Sequence, residues 1–352
     1  MRVTVDCHML GAPSAGDAGN GRYAQMLVAA LAATAAPGDD VVALISHPAA
    51  RDHLNGAGAV MVAEGGPRRL LHHGPGAMAS LRAAAGLFHY VAPPRPTAPS
   101  LLIVHDASFV HDPQWLSRRA VRMLRALVPR SARRAARVVA VSETAAADIS
   151  AALGIPADQI DVVVTHAAAA FRPREGARAR VADRLGLTDF ILAVGDLGPR
   201  KNIPALAEAV ERLGGPELAI VGKPGHAGLR ILAEAGGRWL GPVEDDLLAE
   251  LYSAASAVAV PSLYEGFGIT ALEAMACGAP VVVSDRGALP EVVAHAGLVV
   301  APTPAGLADG LAAAIEPATA ERLRSAGPVR AGAFTRRATG EAAWSVVRRA
   351  VG

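Results

Sequence analysis

Short, unbroken runs of β-branched and aliphatic residues recur along this chain, each followed by a stretch of helical spacing, and this alternation restricts the fold more than any other feature. The first half holds Val3–Asp6, Val41–Ser46, Ala59–Ala63, Leu101–His105, Val138–Val141 and Asp161–Thr165. The second holds Phe190–Gly195, Glu217–Gly222, Ala257–Val260, Val281–Ser284 and Leu298–Val300. Strands that are apolar throughout, rather than at every second residue, belong to parallel sheets covered on both faces. Helical segments fall between them, among them Gly21–Ala35, Ile203–Leu213, Asp245–Ala255 and Ile269–Ala276. Strand–helix alternation implies doubly wound sheets. The pattern lapses at Phe171–Gly176, which reads as a linker, and restarts at Phe190; 352 residues also exceed one ordinary core. The expected fold is α/β, with two Rossmann-like doubly wound parallel-sheet domains facing across a cleft. Their predicted bounds are residues 1–170 and 171–333.

Composition narrows the class. Mean hydropathy is +0.30, yet no run approaches the ~20 apolar residues of a membrane-spanning helix. The first residues read as a strand rather than a signal peptide. Cys7 and Cys277 lie in different halves and are expected to be reduced thiols in a cytoplasmic protein. A net charge of +2 singles out no partner, and no nucleic-acid partner is expected. Of the 34 basic residues only two are lysines, Lys201 and Lys223, both just after predicted strands, where α/β sheets bind ligands.

The segment 261–278 carries the most chemistry. Gly266, Phe267 and Gly268 form a glycine-bracketed turn that opens into a helix, with Glu265 at its mouth and Glu273 inside it. Small residues at a helix start leave backbone N–H groups pointing at one spot, a seat for phosphate. Carboxylates beside such a seat suit hydroxyl groups, and phosphate plus hydroxyls describes a nucleotide sugar. A helix-opening loop with two solvated glutamates is the plainer alternative. Gly195–Asn202, which includes Arg200 and Lys201, follows a strand and precedes a helix. Cations placed there suit a diphosphate whose charge grows as it leaves; a solvated Arg-Lys pair is the competing reading. Lys223 follows the next strand, in a second strand-end loop.

The letters Gly19-Asn20-Gly21-Arg22-Tyr23-Ala24 match a dinucleotide fingerprint, but residues 7–18 separate them from the first strand, and no acid ends the second strand. Nicotinamide binding is rejected on that ground. Gly19 and Gly21 are expected in a loop before a helix, either closing over a ligand or simply connecting. His105 ends a strand, where it either relays a hydrogen bond to a reacting sugar or packs. No metal-ligand cluster is legible, so no metal and no cofactor are expected. Residues 117–137 hold eight arginines, Arg118 to Arg137, and no acid. That face is either solvated or drawn to an anionic membrane or a phosphorylated acceptor.

Together these segments resemble the retaining glycosyltransferases of family 4, the group 1 glycosyltransferases of GT-B fold. The likeness runs through Gly-Asn-Gly-Arg-Tyr at 19–23, Val-His-Asp-Ala-Ser-Phe at 104–109, Val-Ser-Glu-Thr at 141–144, Ala-Val-Gly-Asp-Leu-Gly-Pro-Arg-Lys-Asn at 193–202 and Pro-Ser-Leu-Tyr-Glu-Gly-Phe-Gly at 261–268. Glu265 and Glu273 match the family's Glu-x7-Glu pattern, and the 104–109 block is most similar to the mannosyltransferase branch. The resemblance implies that Glu265, with the Gly266, Phe267 and Gly268 amides, binds donor-sugar hydroxyls, and that Glu273 holds the ribose. It implies that Arg200 and Lys201 neutralise the leaving diphosphate. His105 would be the cleft histidine, and Gly19–Gly21 the loop near the phosphates. Residues 334–352 would return to the first domain. Thr165-His166-Ala167-Ala168 and Cys7-His8 depart from the family's pattern, and no role is carried onto them.

The implied reaction moves a hexose from a nucleotide-diphosphate sugar, GDP-mannose ahead of UDP-sugars, to an acceptor hydroxyl of a glycan, a lipid-linked glycan or a small molecule. Retention by metal-independent front-face substitution is expected, in the cytoplasm and with optional peripheral contact at the inner membrane face. Two rivals stand beside it: a nucleotide-sugar epimerase on the same fold, and a catalytically silent sugar-nucleotide-binding regulator.

Overall fold

A computed structural model describes the chain except residues 11–17, 55–56, 62–77, 95 and 226. The chain forms two compact units. One comprises Met1–Pro113, Ser117–Thr165 and Thr335–Gly352, and the other Gln114–Leu116 and His166–Phe334.

In the first unit, seven parallel strands stand in the order β3-β2-β1-β4-β5-β6-β7. They are β1 (Arg2–Asp6), β2 (Asp40–Ile45), β3 (Gly58–Met61), β4 (Ala85–His89), β5 (Ser100–Val104), β6 (Arg137–Ala140) and β7 (Ile160–Val162). Helices α1 (Ala18–Ala33), α2 (Ser108–His111), α3 (Arg118–Ala132) and α4 (Glu143–Leu153) connect them. In the second unit, β8 (Phe190–Val194), β9 (Glu217–Val221), β10 (Arg238–Gly241), β11 (Ala257–Val260), β12 (Val281–Ser284) and β13 (Leu298–Val300) form a parallel sheet of order β10-β9-β8-β11-β12-β13. Its helices are α5 (Ala177–Leu185), α6 (Ile203–Leu213), α7 (Gly228–Ala235), α8 (Asp245–Ala254), α9 (Ile269–Ala276), α10 (Leu289–Val293), α11 (Pro304–Ile315) and α12 (Pro317–Gly332). Numbered within each sheet, the second order reads 3-2-1-4-5-6, the Rossmann arrangement, and the first reads the same with a seventh strand beyond the sixth.

Central strands are buried along their whole length, as their unbroken apolar runs require: Leu101, Leu102, Ile103 and Val104 are all fully inaccessible, and so are Val281, Val282 and Val283. The core of the second unit lies between this sheet and α6 and α11, around Ile191, Leu206, Ile220, Leu307 and Leu311.

Two strands were absent from the sequence reading. β4 carries no β-branched residue and contains Gly86, so it lacks the propensity signal. Pairing on both sides, with β1 and β5, makes it a strand regardless. Gly86 is there for space, since a Cβ at that position would sit 2.7 Å from Phe88 and 2.8 Å from Met78. β10 is an edge strand with one neighbour and a largely exposed surface, so its sequence need not be apolar. The predicted strand at 161–165 is shorter, ending at Val162. Residues 62–63 of the predicted run at 59–63 lie outside the described residues.

Helix α1 starts earlier than its sequence suggests. Gly19 and Gly21 lie in its first turn rather than in a loop. Helical glycine costs about 1 kcal/mol relative to alanine, which the burial of Tyr23, Leu27 and Leu31 on the same helix outweighs.

Helix α13 (Arg336–Val351) packs on α1 within the first unit. Trp344 is 1% exposed and its indole N–H donates to the Leu31 carbonyl at 2.9 Å. Gly340 lets the two helices touch, because a Cβ there would lie 2.4 Å from the Ala30 carbonyl oxygen. Arg349 and Arg137 share the Asp161 carboxylate, each at 2.7 Å. Among the described residues, no helix is long and apolar enough to cross a membrane.

Candidate active site

In each sheet the strand order reverses between the first and fourth strands, and α/β folds bind ligands at carboxyl strand ends beside such a point. In the second unit, β8 and β11 flank it. After β8 the chain makes a tight turn, Pro199–Lys201, before α6, and after β11 it runs through Pro261 and Ser262 to Glu265. Lys201 Nζ donates to Glu265 Oε1 at 2.6 Å, and Arg200 Nη1 lies 3.1 Å from Oε2. The Ser262 hydroxyl also donates to Oε1, at 2.8 Å. The Leu263 amide donates to the Arg200 carbonyl at 2.8 Å, which joins the two loops. Asn202 takes the left-handed backbone that asparagine tolerates, with φ +54°, and its amide donates to the carbonyls of Pro261 (3.2 Å) and Pro302 (2.9 Å). Three strand-end loops are thereby held in one layer.

Glu265 is 9% exposed. Burial pushes its carboxyl up, but the charges of Arg200 and Lys201, with the Lys201 and Ser262 hydrogen bonds, outweigh burial and hold it at about 2. Two cations against one carboxylate leave the layer net positive at neutral pH. Beside it, α9 begins at Gly268 without a side-chain cap, so the amides of its first turn lack a capping side chain. Phe267 is buried edge-on against Phe334, with ring centroids 5.7 Å apart, which fixes the Gly266–Gly268 backbone. The arrangement can neutralise an anion and accept hydrogen bonds from hydroxyl groups.

The loop after β12 clamps Glu265 from behind. Ala288 N donates to the Glu265 carbonyl at 2.9 Å, and Gly287 has φ +58° with its α-carbon against the Glu265 backbone. A Cβ at Gly287 would lie 2.2 Å from the Glu265 carbonyl oxygen. Gly287→Ala is therefore expected to destabilise the second unit by about 1–3 kcal/mol through overpacking and a left-handed alanine. Urea unfolding checks this, and an unchanged midpoint would show that the loop yields freely.

Other sequence-predicted residues fall elsewhere. Lys223 is exposed in the loop after β9; its carbonyl accepts from Leu197 N at 3.0 Å, so its backbone adjoins the Gly195–Gly198 turn. Glu273 is only 2% exposed and accepts from the Tyr252 hydroxyl at 3.3 Å, in the packing between α8 and α9. The plain reading of two solvated glutamates does not hold, since both are buried.

In the first unit, β1, β4 and β5 end beside the corresponding reversal point. His105 is 7% exposed, and its Nε2 lies 2.7 Å from His89 Nδ1. Burial, and secondarily the nearby His89, hold His105 well below the usual histidine range. Burial likewise lowers His89, to about 4. Tyr23 sets its ring edge-on to His105 at 5.0 Å and donates its hydroxyl to the Val163 carbonyl at 2.9 Å. The Gly19–Tyr23 motif thus reaches His105 through Tyr23. A Cβ at Gly21 would meet Leu10 and Met9 at ordinary contact distance, and one at Gly19 would have nothing within 4 Å. At the end of β1, His8 Nδ1 lies 2.6 Å from the Asp6 carboxylate.

The arginine-rich segment is a capped amphipathic helix, α3, whose buried side includes Val121 and Val128. Arg125 of this helix donates to the Phe109 and Val110 carbonyls, and Arg137, at the start of β6, pairs with Asp161. Among the described residues, no group of three His, Cys, Asp or Glu is placed to hold a metal. Cys7 and Cys277 are free and buried.

Sequence reasoning missed Ser262, Gly287 and His89. Ser262 sits inside the motif it serves. His89 ends β4 and His105 directly follows β5, a parallel legible only once β4 is recognised as a strand.

Solved structures share this fold over nearly the whole chain. Sucrose-phosphate synthase from Thermosynechococcus elongatus aligns at a TM-score of 0.80 and 22% identity, covering 99% of this chain and 98% of that one. An Anabaena protein solved with UDP-glucose aligns at 0.73 and 18%, covering 98% and 99%. The fold is that of the GT-B glycosyltransferases. Residues 19–165 match the model of Glycosyltransferase Family 4, and residues 188–317 that of Glycosyl transferases group 1. The chain belongs to this family. It is 35% identical over 215 residues to O-antigen chain mannosyltransferase B of Escherichia coli, a match covering 56% of either chain. It is 36% identical over 178 residues to the MMP alpha-(1->4)-mannosyltransferase of Mycolicibacterium hassiacum, covering 48% of this chain and 41% of that relative. The chain thus matches about half the length of these curated relatives.

Proposed function

We propose that the protein is a retaining hexosyltransferase that moves mannose from GDP-mannose to an acceptor hydroxyl without a metal ion. The observation that carries this reading is the Arg200–Lys201–Glu265 layer at the β8/β11 reversal point. In it, Arg200 and Lys201 neutralise the diphosphate as it departs. Glu265, held ionised, accepts hydrogen bonds from donor-sugar hydroxyls, while the Gly266–Gly268 backbone and the start of α9 receive phosphate oxygens. Glu273 is assigned to the ribose, and its tie to Tyr252 would set the carboxylate's orientation. Lys223 adds a third cation at the strand ends, and Gly19 and Gly21 are assigned to the phosphate side.

In the front-face step, the bond from the sugar's anomeric carbon to the leaving phosphate oxygen breaks. The acceptor oxygen bonds to the same face, and its proton passes to the departing phosphate. Mannose is favoured over other hexoses because two relatives are named mannosyltransferases. The acceptor is a hydroxyl of a glycan, a lipid-linked glycan or a small molecule. The exposed arginines of α3 would bring the protein to the inner face of an anionic membrane from the cytoplasm.

The test is mass spectrometry of the protein incubated with a panel of nucleotide sugars without added acceptor. Slow hydrolysis of GDP-mannose to GDP and mannose, ahead of the UDP-sugars, is expected. An isomerised donor would replace this reading by epimerisation, and an intact panel would point to a silent binder.

A further inference from the structure

The strand-end histidines of the first unit form a pair that the proposed chemistry does not use as a pair. His89 ends β4 and is 5% exposed; His105 follows β5 and is 7% exposed. Their ring planes differ by 5°, the centroids are 5.0 Å apart, and Nδ1 of one lies 2.7 Å from Nε2 of the other. These three values together place the rings edge to edge in nearly one plane, the geometry of an in-line N–H···N hydrogen bond. Such a bond needs one donor and one acceptor, so each ring's tautomer dictates the other's.

The second ring nitrogen of His89 decides which way the bond runs. His89 Nε2 is buried and has no hydrogen-bond partner among the described residues. If Nε2 held the proton, a buried N–H would be left without an acceptor, the rarer and costlier fault in a folded interior. The proton therefore sits on His89 Nδ1 and is donated to His105 Nε2, and His105 must carry its own proton on Nδ1.

We propose that His89 is a positioning residue that fixes the His105 tautomer, so that His105 presents an N–H donor at Nδ1 and does not act as a base. His105 is then suited to hydrogen-bond an electron-rich oxygen of a bound sugar rather than to take a proton from the acceptor. This role rests on the reading of His105 as a residue of the proposed site; the tautomer itself does not. The titratable groups around the pair are Asp6 and His8 from the end of β1, Tyr23 from α1, and Tyr90 after β4. Tyr23 is committed to the Val163 carbonyl. Burial disfavours charge on either imidazole, which keeps the pair neutral near pH 7.

The experiment is long-range proton–nitrogen NMR on the full chain with nitrogen-labelled histidine, His105 being assigned by its loss in His105→Gln. In the wild type, His105 is expected to be protonated at Nδ1 with Nε2 a hydrogen-bonded acceptor. His89→Asn places an amide donor near the former Nδ1 and should keep that pattern; His89→Leu should lose it. With the donor chosen by the nucleotide-sugar panel, His89→Leu should lower turnover about tenfold while His89→Asn stays near wild type, as expected for a residue that orients another. A wild-type His105 protonated at Nε2, or a His89→Leu spectrum in which His105 is unchanged, overturns the proposal. The wild-type spectrum decides even where the leucine variant fails to fold. Because the spectra need no substrate, absence of any transfer activity would sink the functional reading and leave the tautomer assignment standing or falling on its own.

Discussion

Lys201→Ala is expected to lower turnover of the nucleotide-sugar donor by two to three orders of magnitude, with a smaller change in KM. Lys201 is the compact cation of the layer, 2.6 Å from Glu265 and packed by its stem on Gly195, where a Cβ would lie 3.1 Å from its Cε. Removing one preorganised donor aimed at charge that develops in the transition state costs about 10²–10³ in kcat. The effect belongs on kcat because the leaving phosphate gains charge only as the glycosidic bond breaks. Arg200 does not replace it: its guanidinium already faces Glu265 Oε2 and the Tyr264 carbonyl. Steady-state hydrolysis or transfer measured on both proteins checks the prediction, and near-normal turnover in the variant would remove Lys201 from the mechanism.

Glu265→Gln should show the second large effect, in both stability and acid response. The carboxyl titrates at about 2 in the fold, against an ordinary value of 4.5. A depressed folded value means that the ionised form favours the native state. That contribution is complete above pH 4.5 and is lost as pH falls toward 2. Its size is about 3 kcal/mol, given roughly 1.4 kcal/mol for each tenfold change in proton affinity. Glutamine keeps the shape and removes the charge, leaving Arg200 and Lys201 facing each other without a counter-ion. Breaking one side of a buried pair typically costs about 3–5 kcal/mol. Urea unfolding should therefore find the variant about 3 kcal/mol less stable at pH 7, with the gap shrinking to about 1 kcal/mol at pH 3. A gap independent of pH would mean that Glu265 is not held as a carboxylate. Turnover should fall as well, because an amide accepts hydrogen bonds from sugar hydroxyls more weakly than a carboxylate does.

The strands found from the sequence were those whose environment is uniform. β5, β8, β11 and β12 are covered on both faces, and full burial demands the unbroken Val, Ile, Leu and Ala runs that make them visible. β4 and β10 were invisible for opposite reasons. The first is stabilised by neighbours on both sides and needs no intrinsic preference, while the second is an edge that need not be apolar. Helix α1 shows the same limit, since its two early glycines signal a loop locally and its packing overrides them.

Within the site, Arg200, Lys201 and Glu265 could be singled out in the sequence because short motifs put those residue types at strand ends, where bound anions and hydroxyls need them. Their pairing could not, because residues 201 and 265 meet only through the strand order that sets β8 beside β11. Gly287 behind Glu265, and Tyr252 on Glu273, are likewise contacts between elements distant in sequence. The same holds for the His89–His105 bond, made because adjacent β4 and β5 pair with His89 opposite Ile103, two residues before His105. The amino-acid sequence by itself determined which residues can carry charge, accept hydroxyls or end strands, since these follow from local composition and period. Only the tertiary structure decided which of them meet and in what protonation state, because burial and the distance between charges are properties of the packed sheet and not of the chain.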